Sequence, residues 1–383
     1  MKFLIAPNAL KGSLTAFEAA SAMQQAVQEF SPENQCILCP VADGGDGTLD
    51  VLRSATGGTS FNKRVSGPLH SMEVDARWGM LGDKSTAVIE MAQAAGLQLL
   101  QQNQYDVAHT TTYGVGELML EAAKQGCKKI LVGLGGSATN DGGAGCAKAL
   151  GVKFYDSAGK ELPEGGIHLP ELEGITIKNY ELGIMNVEIV GLVDVKNMLF
   201  GSEGAAFTFA RQKGATEEQV RQLDLGLRHY ASIIERTTHR DVSRIPGSGA
   251  AGGLGAGLVA FCNARLVPGI DLVLDTVGFD DLLMKCDAVL TAEGMLDSQT
   301  IQGKAIDGIA RRAVRQRKPV HVFAGRIRGD ASSLRAQLGL ASLQQISPEK
   351  IKLEVSMKNA SSFLSAAVKD FLRKDAKDSM KRG

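Results

Sequence analysis

The placement of glycine constrains this chain more than any other feature. Residues 132–151, VGLGGSATNDGGAGCAKALG, leave an apolar run, pass through glycine and small residues, and resume as the apolar AGCAKAL that begins a helix. The same junction recurs at DGGDGT, FGSEGAA and PGSGAAGGLGAG, each beside a strand end or a helix start. Glycine numbers 45 in 383 residues, about 12% against a typical ~7%. Such loops read as the carboxyl edges of α/β sheets, where ligands bind. Asn140 and Asp141 carry two readings within the longest of these loops. Either they start a helix, or they belong to a turn whose amides face an anion.

The order of the elements gives the domain plan. KFLIAP, NALKGS, LTAFEAASAMQQAVQEF, QCILCPVA, DGGDGT and LDVLRSA alternate strand, loop and helix, a βαβα start. The pattern returns late, in CDAVLTA, AIDGIARRAVRQR, PVHVFAG, LASLQQIS and the helix NASSFLSAAVKDFLRKD. Short parallel strands need neighbours that cover them, so the two ends of the chain are expected to share one sheet. The expected plan is α/β in two domains: a discontinuous one with a mainly parallel sheet, residues 1–60 plus 280–383, and an inserted one, residues 61–279. The inserted part takes the strands MEVDARWGML, STAVIEMA, KKILVGLG and VEIVGLVDV and the helix TEEQVRQLDLGLRHYASIIERTTHR. Several glycine loops are expected to face a cleft between the domains.

Charge narrows the function classes. Lys plus Arg and Asp plus Glu number 42 each, a formal net charge of zero, which implies no general attraction to nucleic acid or an anionic membrane. MKFLIAPNALKGS turns charged and glycine-containing too soon for a signal peptide, and no apolar run approaches the roughly 20 residues of a spanning helix. The chain reads as cytoplasmic. Six cysteines in a chain this long do not form a disulfide framework. Cys36 and Cys39, an odd offset apart in a strand, point to opposite faces. The six histidines lack zinc-ligand spacing.

Familiar nucleotide motifs fail. No G-x-x-x-x-G-K-[ST] is present. GSGAAG at 247–252 matches G-x-G-x-x-G, but the preceding RDVSRIP is no buried strand, which argues against a dinucleotide-dependent oxidoreductase. A glycine-rich helix start is the better reading. Carboxylates beside glycine form the stronger pattern: Asp43 and Asp46, Asp141, Asp194 at the end of VEIVGLVD, and Glu293 and Asp297 after DAVLTA. Each alone is equally well a turn former. Together they suit Mg²⁺, which takes one or two carboxylates and keeps water or phosphate as its other ligands. Lys11 before Gly12 and Ser13, and Lys304 at a helix start, add cations. Amides and lysines on phosphates, with a carboxylate on an accepting hydroxyl, is the outfit of phosphoryl transfer.

APNALKGSLTAFEAA, PVADGGDGTLDVL, GLGGSATNDGGAGCAKALG, GSGAAGGLGAGLVAF, GIDLVLDTVGFDDLL and AEGMLDSQTIQGKA, in this order, resemble the bacterial glycerate kinase type 1 family from the first strand to at least PVHVFAG. The resemblance implies a discontinuous flavodoxin-like domain with an inserted α/β domain, and an enzyme that uses ATP and Mg²⁺ to phosphorylate D-glycerate, with 2-phosphoglycerate the favoured product. On that basis Asp194 is expected to orient the hydroxyl and Lys11 to stabilise the transferring phosphoryl group. Asp43, Asp46, Glu293 and Asp297 are the expected metal carboxylates. Ser13, Gly135, Gly136, Ser137, Asn140, Asp141, Gly252, Gly253, Lys304 and Arg326 are the expected substrate or phosphate contacts. The sequence departs from the family pattern at Asn8, where an Asp is usual, at Tyr105 and Met295, where arginines are usual, at Met198 for proline and at Asp46 for Glu. Arginine is the natural bidentate partner of carboxylate and phosphate, so two further readings stand: a kinase for a different small hydroxy acid, or a non-catalytic acid-sensing paralogue. The expected partners are small molecules, without nucleic acid or membrane, and a homodimer is compatible with all three.

Overall fold

Phe3, Leu4 and Ile5 leave β1 (Lys2–Ile5) with no solvent-facing side, as expected of a strand covered on both faces. In this computed structural model, which describes residues 1–177, 184, 186–297 and 304–382, Thr15 then caps α1 (Ala16–Phe30). Its hydroxyl accepts from the Glu18 amide while the Glu18 carboxylate accepts from the Thr15 amide, a capping box. Ala16, Ala19, Ala20, Met23, Ala26 and Val27 form the buried stripe of that helix, spaced three and four apart as an amphipathic helix requires. β2 (Gln35–Leu38) pairs in parallel with β1.

The chain divides into two units, Met1–Asp43 with Ile270–Gly383, and Gly44–Gly269. Within the second lie α2 (Thr48–Thr56), β3 (Thr59–Ser66), β4 (Glu73–Met80), β5 (Thr86–Glu90), α3 (Ala92–Ala95), α4 (Tyr113–Lys124), β6 (Lys129–Gly133), α5 (Ala144–Ala149), β7 (Lys153–Tyr155), β8 (Gly174–Thr176), β9 (Glu188–Val193), α6 (Glu217–Thr238), α7 (Ala250–Cys262) and β10 (Arg265–Pro268). The main sheet runs β10-β9-β6-β5-β4-β3, parallel from β10 to β5 and antiparallel beyond. One core gathers Trp78, Ile89, Met119, Val132 and Leu254, and a second gathers Phe154, Leu227, Tyr230 and Phe261.

Returning to the first unit, the chain forms α8 (Gly269–Thr276), α9 (Phe279–Met284), β11 (Ala288–Leu296), α10 (Ala305–Arg315), β12 (Val320–Ile327), α11 (Ala331–Gln337), β13 (Ser342–Gln345), α12 (Leu353–Lys358) and α13 (Ala360–Arg382). Its sheet is wholly parallel, in the order β13-β12-β11-β1-β2. The two ends of the chain therefore share one sheet, and α1 packs against α13 beside it.

Three details differ from the sequence reading. The units meet at Asp43/Gly44 and Gly269/Ile270 rather than near 60 and 280, because β3 is the antiparallel partner of β4 along its whole length and Leu49 of α2 lies against Gly79. β11 does not stop at Ala292: Met295 and Leu296 pair with Arg326 and Ile327 of β12, so Glu293 lies within a strand. The helix expected from GSGAAGG is interrupted, with Ala251, Gly252 and Gly253 all left-handed (φ 53°, 66° and 94°). No strand precedes it over 240–249, as the argument against a dinucleotide site required.

Candidate active site

In the first unit the carboxyl edge of the parallel sheet collects the predicted groups of both chain ends. Asn8, just past β1, is buried, and its amide nitrogen donates to Asp43 Oδ2 at 3.3 Å and reaches Glu293 Oε1 at 3.5 Å. One side chain thus draws together two carboxylates far apart in sequence. The Asn8–Lys11 loop passes over the strand that carries Glu293, because Gly294 has no side chain: a Cβ there would lie 3.2 Å from the Lys11 amide nitrogen. Lys11 itself is exposed. Ser13 donates its hydroxyl to the Met357 carbonyl (2.9 Å), which pins the loop to the end of α12. Asp297 follows β11 directly and Lys304 is the first residue before α10; the SQTIQG stretch between them lies outside the described residues.

Arg326 donates to the Ile351 carbonyl at 2.9 Å and is the register neighbour of Met295. A guanidinium therefore stands on the strand beside the position where the resembling family carries arginine. Asn8 likewise has a local logic, since its N–H sits between two carboxylates where an aspartate would add a third negative charge.

In the second unit β5, β6 and β9 are adjacent and parallel. Their carboxyl ends place Glu90, the 134–141 turn and Asp194 along one edge. Two glycine loops meet there backbone to backbone: a Cβ on Gly135 would lie 2.6 Å from the Gly45 Cα, and one on Gly136 would lie 3.3 Å from Asp46 Oδ1. A third loop closes on the same turn, where Gly252 would place a Cβ 2.0 Å from the Thr139 carbonyl and Gly253 one 2.8 Å from the Gly142 Cα. Asp194 follows β9 and is half-buried.

Asp141 is buried and heavily engaged. It accepts from the Thr112 amide and hydroxyl (2.8 Å each) and from the Gly143 and Gly145 amides (3.0 and 3.2 Å). It ties the 110–112 segment to the start of α5, so the helix-starting half of its expected role is visible in these bonds. Burial raises its pKa even so. Asn140 is different: it has no exposure, and neither its amide nitrogen nor its oxygen has a hydrogen-bond partner among the described residues.

Two titratable groups here escaped the sequence reading. Glu90, 3% exposed, accepts from the Leu49 amide at 2.8 Å; burial and then the charge of Asp46 push its pKa above the usual carboxylate range. Its signal was an acid ending the apolar strand TAVIE, the pattern that did single out Asp194. Lys213 is 3% exposed and donates to Ser137 Oγ (2.7 Å) and the Thr139 carbonyl (2.8 Å). No motif marks it in RQKGAT.

Residues 3–374 match the family model described as the glycerate kinase family. The chain belongs to the glycerate kinase family. It is 40% identical over 367 residues to the glycerate kinase of Halalkalibacterium halodurans, covering 96% of both chains. It is 43% identical over 330 residues to the glycerate 2-kinase of Escherichia coli K12, covering 86% of both. A Salmonella typhimurium LT2 crystal structure assigned as glycerate kinase 2 superposes with a TM-score of 0.83 at 40% identity, covering 99% of each chain. Membership makes this an ATP-using kinase, a phosphotransferase with an alcohol group as acceptor. Among the described residues of this glycerate kinase family member, no helix is long and apolar enough to cross a membrane, and no three His, Cys, Asp or Glu side chains form a group able to hold a metal ion.

Proposed function

We propose that the chain transfers the γ-phosphoryl group of ATP to the 2-hydroxyl of D-glycerate, in the cytoplasm. The observation that carries this reading is the gathering of Asp43, Glu293 and the Lys11 loop around Asn8 at the carboxyl edge of a parallel sheet. Two converging carboxylates supply the hard oxygen donors that Mg²⁺ takes, and one or two are all it needs when phosphates fill its other positions. Asp43 and Glu293 are the residues proposed to hold it, with Asp297 next along the chain. When bound, the ion neutralises charge on the phosphates.

The chain's own residues supply the remaining work. Exposed Lys11 can follow the charge of the phosphoryl group as it develops, which a buried and committed lysine could not. Gly135 lies against Gly44 and Gly45 backbone to backbone, so no side chain there keeps a phosphate or carboxylate away from the main chain. Asp194, half-buried at a strand end, accepts or orients the proton of the attacking hydroxyl. The relative named glycerate 2-kinase supports the choice of hydroxyl.

The test is a ³¹P spectrum of the protein with ATP, Mg²⁺ and D-glycerate. A phosphomonoester growing with ADP, its proton coupling that of a 2-phosphate, is expected; no ADP from folded protein defeats the reading. Asp194→Asn is expected to lower kcat by about 10²- to 10⁴-fold in protein that circular dichroism shows to be folded. Unchanged turnover in that variant would remove the base assignment.

A further inference from the structure

The 137–141 turn is held from outside by buried polar side chains. Thr110 donates to the Ala138 carbonyl at 2.9 Å, Lys213 holds Ser137 and the Thr139 carbonyl, Thr139 donates to the Ala251 carbonyl at 3.4 Å, and Thr112 binds Asp141. Among the described residues, the Asn140 side chain is the one in this buried set left unbonded. A turn so fixed, with one orphaned amide, is arranged for something other than its own stability, since an unsatisfied buried group lowers stability. Lys213 is the one charged donor among those holding the turn, and it reaches the turn from a segment more than 70 residues away in sequence.

We propose that Lys213 is a positioning residue for phosphoryl transfer, whose buried ammonium fixes Ser137 and Thr139 and so sets the shape of the turn that carries Asn140. The proposal rests on the kinase reading above and adds a regulation of its site. Both bonds are charge-assisted while Lys213 is an ammonium; a neutral amine keeps two N–H donors for the two acceptors but holds them more weakly and adds a lone pair. Burial draws the Lys213 pKa down to about 7, and the charge of Asp141 opposes that fall. Asp141 is the facing acid from the turn. On the lysine's own side, Arg211 and Glu217 pair with each other at the surface, and the packed Ala206–Ala210 segment contains no titratable side chain. Tyr105 meets the neighbouring Gly214 through its carbonyl and Cβ.

The sign of the pH effect follows. The ammonium is present below about pH 7 and is lost above it, so kcat/KM for glycerate falls on that side. Stability moves the other way, because between the folded value and the ordinary lysine value the unfolded chain binds more protons, and folding gains as pH rises through that window. Falling activity with rising stability separates a released turn from an unfolding protein.

The experiment measures kcat and KM for D-glycerate at saturating ATP and Mg²⁺ over about pH 5.5 to 9, with intact wild-type chain and Lys213→Met. The wild type is expected to show a basic limb near pH 7. The variant, folded by circular dichroism, is expected to lose that limb and about 100-fold in kcat/KM, the scale of a misplaced binding element. A wild-type profile without the limb, or a folded variant with wild-type kcat/KM, overturns the proposal. Lys213→Gln serves if the methionine variant fails to fold, and the wild-type limb needs no variant. An inactive wild type defeats the kinase reading instead; there, ¹³C-lysine NMR of the same protein decides the Lys213 proposal, which needs a lysine signal titrating near pH 7 and falls without one.

Discussion

Asn140 separates stability from function within a single side chain. Its two polar atoms are buried and, among the described residues, unpaired, so a shape-preserving apolar replacement removes a penalty rather than a bond. Asn140→Leu is expected to melt at the same temperature as the wild type or higher, while kcat/KM for glycerate drops at least about tenfold, a lost hydrogen bond's worth of discrimination. A differential scanning fluorimetry trace and an initial-rate series read both. A variant that is stabilised and fully active would make the orphaned amide a mere packing defect. Asp141, one residue on, is expected to behave oppositely, since all four of its donors would be stranded by its removal. Both residues were visible in the sequence as a pair. Which was engaged and which was orphaned depends on Thr112, Gly143 and Gly145 arriving together, and that is a tertiary fact.

At the scale of elements, the apolar runs were legible because a strand buried on both faces has no polar phase: FLI, TAVI, ILVG and IVGLV all became strands. β3 and β10 were not, since TSFNKRVS is exposed at a sheet edge and RLVP is exposed at both ends, leaving only Leu266 and Val267 as an apolar signal. β11 overran its apolar signal because hydrogen bonding to β12 continues beyond Ala292, whatever the side chains prefer. The three left-handed residues at the head of α7 were hidden too, as Ala251 does not announce φ 53°. Their reason is the close approach of the 139–142 backbone, and this gives a test. Gly252→Ala adds a Cβ 2.0 Å from a backbone carbonyl at φ 66°, whereas Gly57→Ala adds one at φ 68° with nothing within 4 Å. Urea unfolding is expected to show about 1 kcal/mol lost at Gly57, the left-handed strain alone, and at least about 2 kcal/mol more at Gly252, where the backbone must move. Equal losses would mean that the 139–142 turn yields freely, contrary to its proposed rigidity.

For the whole molecule, the division of the chain decides which parts can stand alone. Every strand of the six-stranded sheet, and the cores gathered around Trp78 and around Phe154, come from Gly44–Gly269, one uninterrupted stretch. The other unit must bring β1 and β2 together with β11, β12 and β13 from beyond that stretch. A fragment of residues 44–269 is therefore expected to fold, with a cooperative thermal transition and dispersed amide resonances, because no strand in it loses a partner. That fragment retains Asp46, the 135–141 turn, Asp194 and Lys213, but lacks Lys11, Asp43, Glu293 and Lys304. It is expected to make no phosphoglycerate from ATP and glycerate, while a ¹³C-lysine signal still titrates near pH 7, since Ser137, Thr139 and Asp141 all travel with Lys213. A folded fragment that turns over would show that the carboxylates around Asn8 are dispensable and would take the proposed metal site with them. A fragment that does not fold would show that the long insertion draws its stability from the chain ends, despite burying its own cores.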